Sequence, residues 1–268
     1  MRIPVKLPRL QGGFKIFAPF LCALLLVLWV QRSPVVAQST PINQATITEV
    51  LDSSQVFIQN KQAKVKDSAN KGQRVRTAEA RAQLKFNTGA VGRLAHNSVL
   101  TVGQCARLRQ GTLLVNGAMN GCTSSVIAGV RGTTYLLEVN ETGEANIKVL
   151  EGTVTVTRSS TPENGEESVE EPGSGVKQND AADELILAAG EKISVSSSGK
   201  PGLVEKLSQA DFINILKGSL FDGFTTSLPG ISKIQQSFQN LFPGVPFPIE
   251  FPGIPSVPTP PVRVPLPF

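Results

Sequence analysis

The chain of 268 residues holds one histidine, one tyrosine, one tryptophan, two methionines and three cysteines. A catalytic triad built on histidine could use only His96, which lies in "RLAHNSVL" between strand-like runs and reads as a solvated turn residue rather than a base. Trp29 and Cys22 fall in the leading apolar run, so only Cys105 and Cys122 remain beyond it. Their spacing fits neither CxxC redox chemistry nor a zinc knuckle. Carboxylates abound only between Arg158 and Leu185, without EF-hand or nonapeptide calcium spacing. A glycosidase needs two carboxyl groups held at a fixed separation, which a mobile segment cannot provide. The expectation is a non-catalytic protein with no metal and no cofactor; a carbohydrate-active hydrolase is the alternative from another class.

The first residues are an address rather than a fold. Arg2, Lys6, Arg9 and Lys15 precede the apolar run "IFAPFLCALLLVLWV", and "QRSPVVAQ" follows, with Val35 and Ala37 at the small-residue positions of a signal-peptidase site. Residues 1–37 therefore read as an export signal cut after Ala37. The run at 16–30 is shorter than the ~20 residues that span a bilayer, and Pro19 interrupts it; a retained membrane anchor is the alternative. Cleavage would remove five of the 26 basic residues and leave 21 against 21 acids. The sequence pI of about 9.2 is thus partly a property of the leader, and gives no ground for nucleic-acid binding. In an oxidising compartment the even pair Cys105 and Cys122 favours a disulfide, worth ~3 kcal/mol for a loop of this size; a reactive thiol pair is the alternative.

After a linker at 38–48, helical periodicity is absent for well over a hundred residues. Short apolar runs of period two recur between Gly, Asn, Asp and Ser: "QVFIQ", "GQRVRTA", "RAQLKF", "SVLTVG", "TLLVNG", "ELILAAG". This predicts an all-β domain over 49–200, a jelly-roll or double-stranded β-helix-like sandwich, with a β-solenoid as the alternative. In "VRGTTYLLEVNETGEANIKVLEGTVTV", Thr133, Tyr135, Leu137 and Val139 alternate onto one face, Asn140 to Gly143 supply a turn, and Ile147 and Val149 return. Inward positions then slip to Val154 and Val156, so Glu151-Gly152 marks a bulge or corner. Residues 159–184, rich in acids, Gly, Ser and Pro, read as a mobile loop. Over 201–241, Ser208 and Asp211 form the signature of a helix start ahead of Phe212, Ile215 and Leu216, and "SKIQQSFQNLF" suggests a second helix. Such a helix is expected to cover a sheet edge or one end of a barrel; membrane contact through 203–221 or the N-terminal segment is a lesser reading. From Phe242, ten prolines and the repeat "FPGVP", "FPGIP" predict a disordered, extended tail over 242–268.

Charge is unevenly written. From Gln59 to Gln110 there are eleven Lys/Arg against Asp67 and Glu79, and from Glu138 to Glu191 thirteen Asp/Glu against Lys148, Arg158 and Lys177. Three basic pairs stand at strand spacing: Lys64 and Lys66 around Val65, Arg74 and Arg76 around Val75, and Arg107 and Arg109 around Leu108. Each pair is expected to point to one face while its apolar residue points inward, forming a basic stripe if the strands are neighbours. A solvated outer face is the plain reading of these pairs; as a binding surface the partner would be an envelope protein or an anionic polysaccharide, with lipid headgroups or the chain's own acidic loop as alternatives.

In order, "GQRVRTAEARAQLKFNTGAVGRLAHNSVLTVG", "LRQGTLLVNG", "SSVIAGVRGTTYLLEV", "IKVLEGTVTV" and "LILAAGEKISV" resemble the pattern of the FecR domain family over about residues 49–196. The resemblance is carried by Val75, Thr77, Leu84, Ser98, Gly111, Gly132, Thr133, Tyr135, Glu151, Gly152, Val154, Gly190 and Glu191. It implies an all-β extracytoplasmic domain in which Gly132, Thr133, Tyr135, Glu151, Gly152 and Gly190 are structural. Family regulators place a cytoplasmic anti-sigma region before a membrane helix, whereas fewer than twenty residues precede the apolar run here. The expectation is an exported, stand-alone binding or scaffold module of the periplasm or cell surface, with a membrane-anchored envelope sensor as the alternative.

Overall fold

The computed structural model describes residues 41–130, 132–159 and 184–249. The segment read as an export signal, most of the segment read as an acidic mobile loop and the residues from 250 onward lie outside them. The described residues form seventeen strands and two helices in two sheets that share one strand, and the sheet is not closed into a barrel. Sheet A runs β4 (Ser68–Asn70), β1 (Gln44–Leu51), β6 (Arg81–Phe86), β7 (Val91–Leu94), β9 (Ala106–Gly117), β12 (Thr133–Val139), β13 (Ala145–Glu151), β16 (Glu191–Val195), β17 (Glu205–Lys206). Sheet B runs β3 (Lys61–Gln62), β2 (Val56–Ile58), β5 (Arg74–Thr77), β8 (Val99–Thr101), then β9 again, β10 (Gly121–Cys122), β11 (Val126–Val130), β14 (Thr153–Arg158), β15 (Leu185–Ala188). Neighbours are antiparallel except β9 and β10.

Alternation decides which side chains meet. Val75, Leu100, Leu108, Ala128 and Val156 of sheet B face Leu84, Leu113, Tyr135, Leu137 and Ile147 of sheet A in one continuous core. The hairpin forms as its pattern predicts, Tyr135 opposite Val149 and Leu137 opposite Ile147. The Asn140 side chain holds the turn by accepting from the Thr142 and Glu144 N–H groups. At Gly152 (φ +80°) the chain passes from sheet A into sheet B, and a Cβ there would lie 2.6 Å from Thr133 Cγ2. Glycine is required on both counts.

A third layer covers the other face of sheet A. Leu114, Leu136 and Leu150 alternate with the core residues and meet Phe212 and Leu216 of α1 (Gln209–Leu216) and Ile234 and Phe238 of α2 (Ile231–Leu241). Ser208 caps α1, its Oγ accepting from Asp211 N–H while the Asp211 carboxylate accepts from Ser208 N–H. Phe238 packs against Phe212, Phe242 and Phe247 with ring centroids 5.5, 5.2 and 5.6 Å away.

Two boundaries differ from expectation. β1 begins at Gln44, inside the stretch read as linker, because it pairs with β4 and β6, and Ile42 just before it is buried in the core. The tail read as disordered from Phe242 instead continues packing to Ile249, since Phe242, Val245, Phe247 and Ile249 rest on the helical layer. Proline there removes backbone donors without preventing side-chain burial.

Candidate functional site

The two outer faces differ in kind. On sheet A, Arg93 is 1% exposed; its Nε donates to Gln83 Oε1 (2.9 Å), Nη1 to Leu220 O (2.9 Å) and Nη2 to Thr226 O (2.5 Å), and its guanidinium lies 4.1 Å from the Phe224 ring centroid. Burial pulls its pKa down to about 10, against the field of Glu49. Arg81 grips Asp52 through two hydrogen bonds (2.5 and 2.8 Å) and donates to the carbonyls of Ser219 and of Asp222 (2.7 Å). The Arg81 hydrogen bond holds the Asp52 carboxyl down at about 2, and His96 Nε2 sits 2.8 Å from the same carboxylate. Burial opposes the charge of Glu49, but donation from Thr225 (N–H 2.7 Å, Oγ1 2.9 Å) and Thr226 outweighs it, so its pKa is lowered. These groups latch residues 219–226 onto sheet A. His96 is an exposed turn residue, as read from the sequence, and its ring also hydrogen-bonds the Asp52 carboxylate of this latch.

Sheet B has no such cover among the described residues. In β5, Arg74 and Arg76 are exposed around a buried Val75. Register places Arg74 opposite Thr101 and Thr101 opposite Arg107, so Arg74 and Arg107 share one face about 10 Å apart across two strand spacings. A bulge between Val99 and Leu100 brings Arg109 and Gln110 to the same surface, both exposed. The Arg76 guanidinium lies 4.2 Å from the Phe57 ring centroid, Arg107 Nη1 donates to Thr123 O (3.0 Å), and Arg109 Nε reaches Thr101 Oγ1 (3.4 Å). Among the described residues none of these four arginines is in a salt bridge.

Lys64 and Lys66 do not join them. They sit in a turn outside the strands, with Val65 43% exposed rather than inward and Lys66 at φ +81°. Asp67 causes this: its Oδ2 accepts from Lys64 N–H (2.9 Å) and its own N–H donates to Lys64 O (3.0 Å), closing a local turn that competes with strand pairing. The expected stripe of six cations is a patch of four.

Where β9 leaves the patch, an open groove of about 570 Å³ lies between Arg107 and Arg109 on one side and Asn140, Glu141 and Ser197 on the other. Cys105 and Cys122 are disulfide-bonded, Cα atoms 5.9 Å apart, tying β10 to the start of β9 beside this groove. The remaining motif residues occupy corners and core. Gly132 (φ +65°) lies at the bend just before β12, Thr133 and Tyr135 are buried, and the Tyr135 hydroxyl donates to Met119 O (3.3 Å). Glu151, its pKa raised by burial, lies 3.5 Å from the Thr134 hydroxyl. Gly190 donates to Val149 O (2.8 Å) and faces Leu241. No group of three His, Cys, Asp or Glu residues suited to a metal occurs among the described residues, and no helix there is long and apolar enough to cross a membrane.

Strand reasoning missed the latch, because Arg81, Gln83 and Arg93 alternate with Ala82, Leu84 and Leu94 as solvent-facing residues would. The one available signal was the apolar helix over 209–216, which needed a seat.

No known family profile matches the chain, and no curated protein matches it. Among solved structures it is similar to a proposed anti-sigma factor from Parabacteroides distasonis determined at 1.65 Å, with TM-score 0.41 and 13% identity, covering 63% of this chain and 74% of that one. A second structure, also a proposed anti-sigma factor from that organism, at 2.50 Å, gives TM-score 0.39 and 13% identity over 53% of this chain and 63% of the other. With TM-scores below 0.5, these likenesses support no functional argument.

Proposed function

We propose that this chain is a non-catalytic, FecR-like module of the cell envelope that binds an anionic partner through the outer face of sheet B. The observation that carries the reading is the contrast between the faces. The chain's own residues 207–249 pack over sheet A, whereas Arg74, Arg76, Arg107 and Arg109 gather on sheet B without a salt bridge to any carboxylate among the described residues. Guanidinium groups on a flat sheet suit carboxylate or sulfate recognition by paired donors. The Cys105–Cys122 bond supports a non-reducing compartment, and the leader at 1–37 supports export.

Cosedimentation with the envelope fraction tests the reading. The parent chain is expected to sediment at low ionic strength and release at high, and the quadruple variant Arg74→Glu, Arg76→Glu, Arg107→Glu, Arg109→Glu to stay in solution at both. Equal sedimentation of parent and variant refutes it. Intact mass of the native protein, lacking residues 1–37, tests export separately.

A further inference from the structure

We infer that the occupant of this face is a uronate-bearing polysaccharide chain, laid across Arg74 and Arg107 with one end in the groove between Arg109 and the 140–143 turn; this rests on the binding role proposed above. The lining of the groove selects the ligand class. Only Gly143 among the lining residues lacks a polar side chain, and Gln110, Ser124 and Ser197 stand exposed with their amide and hydroxyl groups. A protein partner draws its affinity from aromatic or aliphatic anchors seated in apolar pockets, and the groove offers no apolar lining to seat one. A chain of hydroxyls and carboxylates finds complementary groups throughout: arginine forks for the carboxylates, amides and hydroxyls for the sugar oxygens.

Spacing agrees with an extended ligand rather than a compact anion. Arg74 and Arg76 stand about 7 Å apart along β5, and Arg74 and Arg107 about 10 Å apart across the strands. A single phosphate or sulfate could touch one or two of these groups. A linear polyanion engages all of them, and the Thr101 hydroxyl lies in the row between Arg74 and Arg107. Glu141 in the groove wall works against any anion and gives the inference a distinctive sign. Its removal should tighten binding, whereas loss of a residue that merely shapes the turn would weaken it.

The test is calorimetric titration of the full chain, disulfide intact, with oligogalacturonate, with neutral dextran oligomers of equal length, and with poly-L-glutamate of matched charge, at 50 and 300 mM NaCl. Oligogalacturonate is expected to bind, dextran to give no heat, and affinity to fall at least tenfold between the two salts. Arg107→Gln with Arg109→Gln should cost at least tenfold, and Glu141→Gln should gain about threefold at low salt. Unchanged melting temperatures in these surface variants separate loss of a binding group from loss of the fold. Poly-L-glutamate binding as tightly as oligogalacturonate, or indifference to the Arg107 and Arg109 changes, overturns the polysaccharide assignment while leaving an anion-binding face intact. Absence of binding to both polyanions overturns the assignment and the binding role together.

Discussion

Replacing Arg93 with methionine isolates the latch. The side chain is 1% exposed and serves three acceptors, Gln83 Oε1, Leu220 O and Thr226 O, at 2.5 to 2.9 Å. Methionine keeps the length and the packing against Phe224 but donates nothing. Each buried acceptor left without a donor costs about 1–3 kcal/mol. Three acceptors lose a donor, and relief of the buried cation offsets part of this, which leaves a net loss of roughly 3–5 kcal/mol. For a domain of this size, ~2–4 °C per kcal/mol gives a fall of roughly 6–20 °C in Tm by circular dichroism. Because the hydrogen bonds to Leu220 O and Thr226 O fasten residues 220–226 to sheet A, limited proteolysis of the variant should cut first within 207–249. Arg76→Met is the control: it removes an exposed guanidinium stacked on Phe57 and should cost about 1 kcal/mol or less. A Tm for Arg93→Met within about 2 °C of the parent, or equal losses in the two variants, would refute the latch.

Acid should loosen the same seam. Asp52 is held at about 2 in the folded state against an ordinary 3.8, so its contribution is complete above about pH 4 and is lost as pH falls toward 2. Urea titrations of Asp52→Asn are expected to show a shallower loss of stability over that window than the parent, and parallel curves would count against it. Gly152→Ala meets both a positive φ and Thr133 Cγ2 at 2.6 Å, so about 2–4 kcal/mol is expected, while Gly132→Ala, with open space around it, should cost only about 1 kcal/mol in chemical denaturation. Reducing the bond between Cys105 and Cys122, which closes a separation of 17 residues, should lower stability by about 3 kcal/mol, and thermal scans with and without reductant measure it.

Period-two alternation revealed the strands because inward residues such as Val75, Leu84, Leu100, Leu108, Leu137 and Val156 are branched or long apolar side chains in runs between turn formers. It also located the corner at Gly152, where the parity of the inward positions changes. What it could not reveal is that the opposite face of sheet A is buried too. Leu114, Leu136, Leu150 and Arg93 gave no sign of this, because their partners stand some 60 to 130 residues away and a strand pattern carries no long-range pairing. Lys64 and Lys66 failed for the opposite reason, a local one: Asp67 captures the backbone of Lys64 and turns the chain before a strand can form. Arg74, Arg76, Arg107 and Arg109 were visible individually, but their sharing one face depends on the order β5, β8, β9, which only the fold supplies.

The central claim, that one sheet face is latched under the chain's own C-terminal layer while the other is kept for a partner, is tested most directly by arginine footprinting. The full chain would be treated with a dicarbonyl reagent, alone and bound to the envelope fraction, and modification read at each arginine by mass spectrometry. Arg74, Arg76 and Arg109 should react in the free chain and be protected on binding, with Arg81 and Arg93 inert in both states. Reactive Arg93 in the free chain, or binding that leaves Arg74, Arg76 and Arg109 as reactive as before, would contradict it.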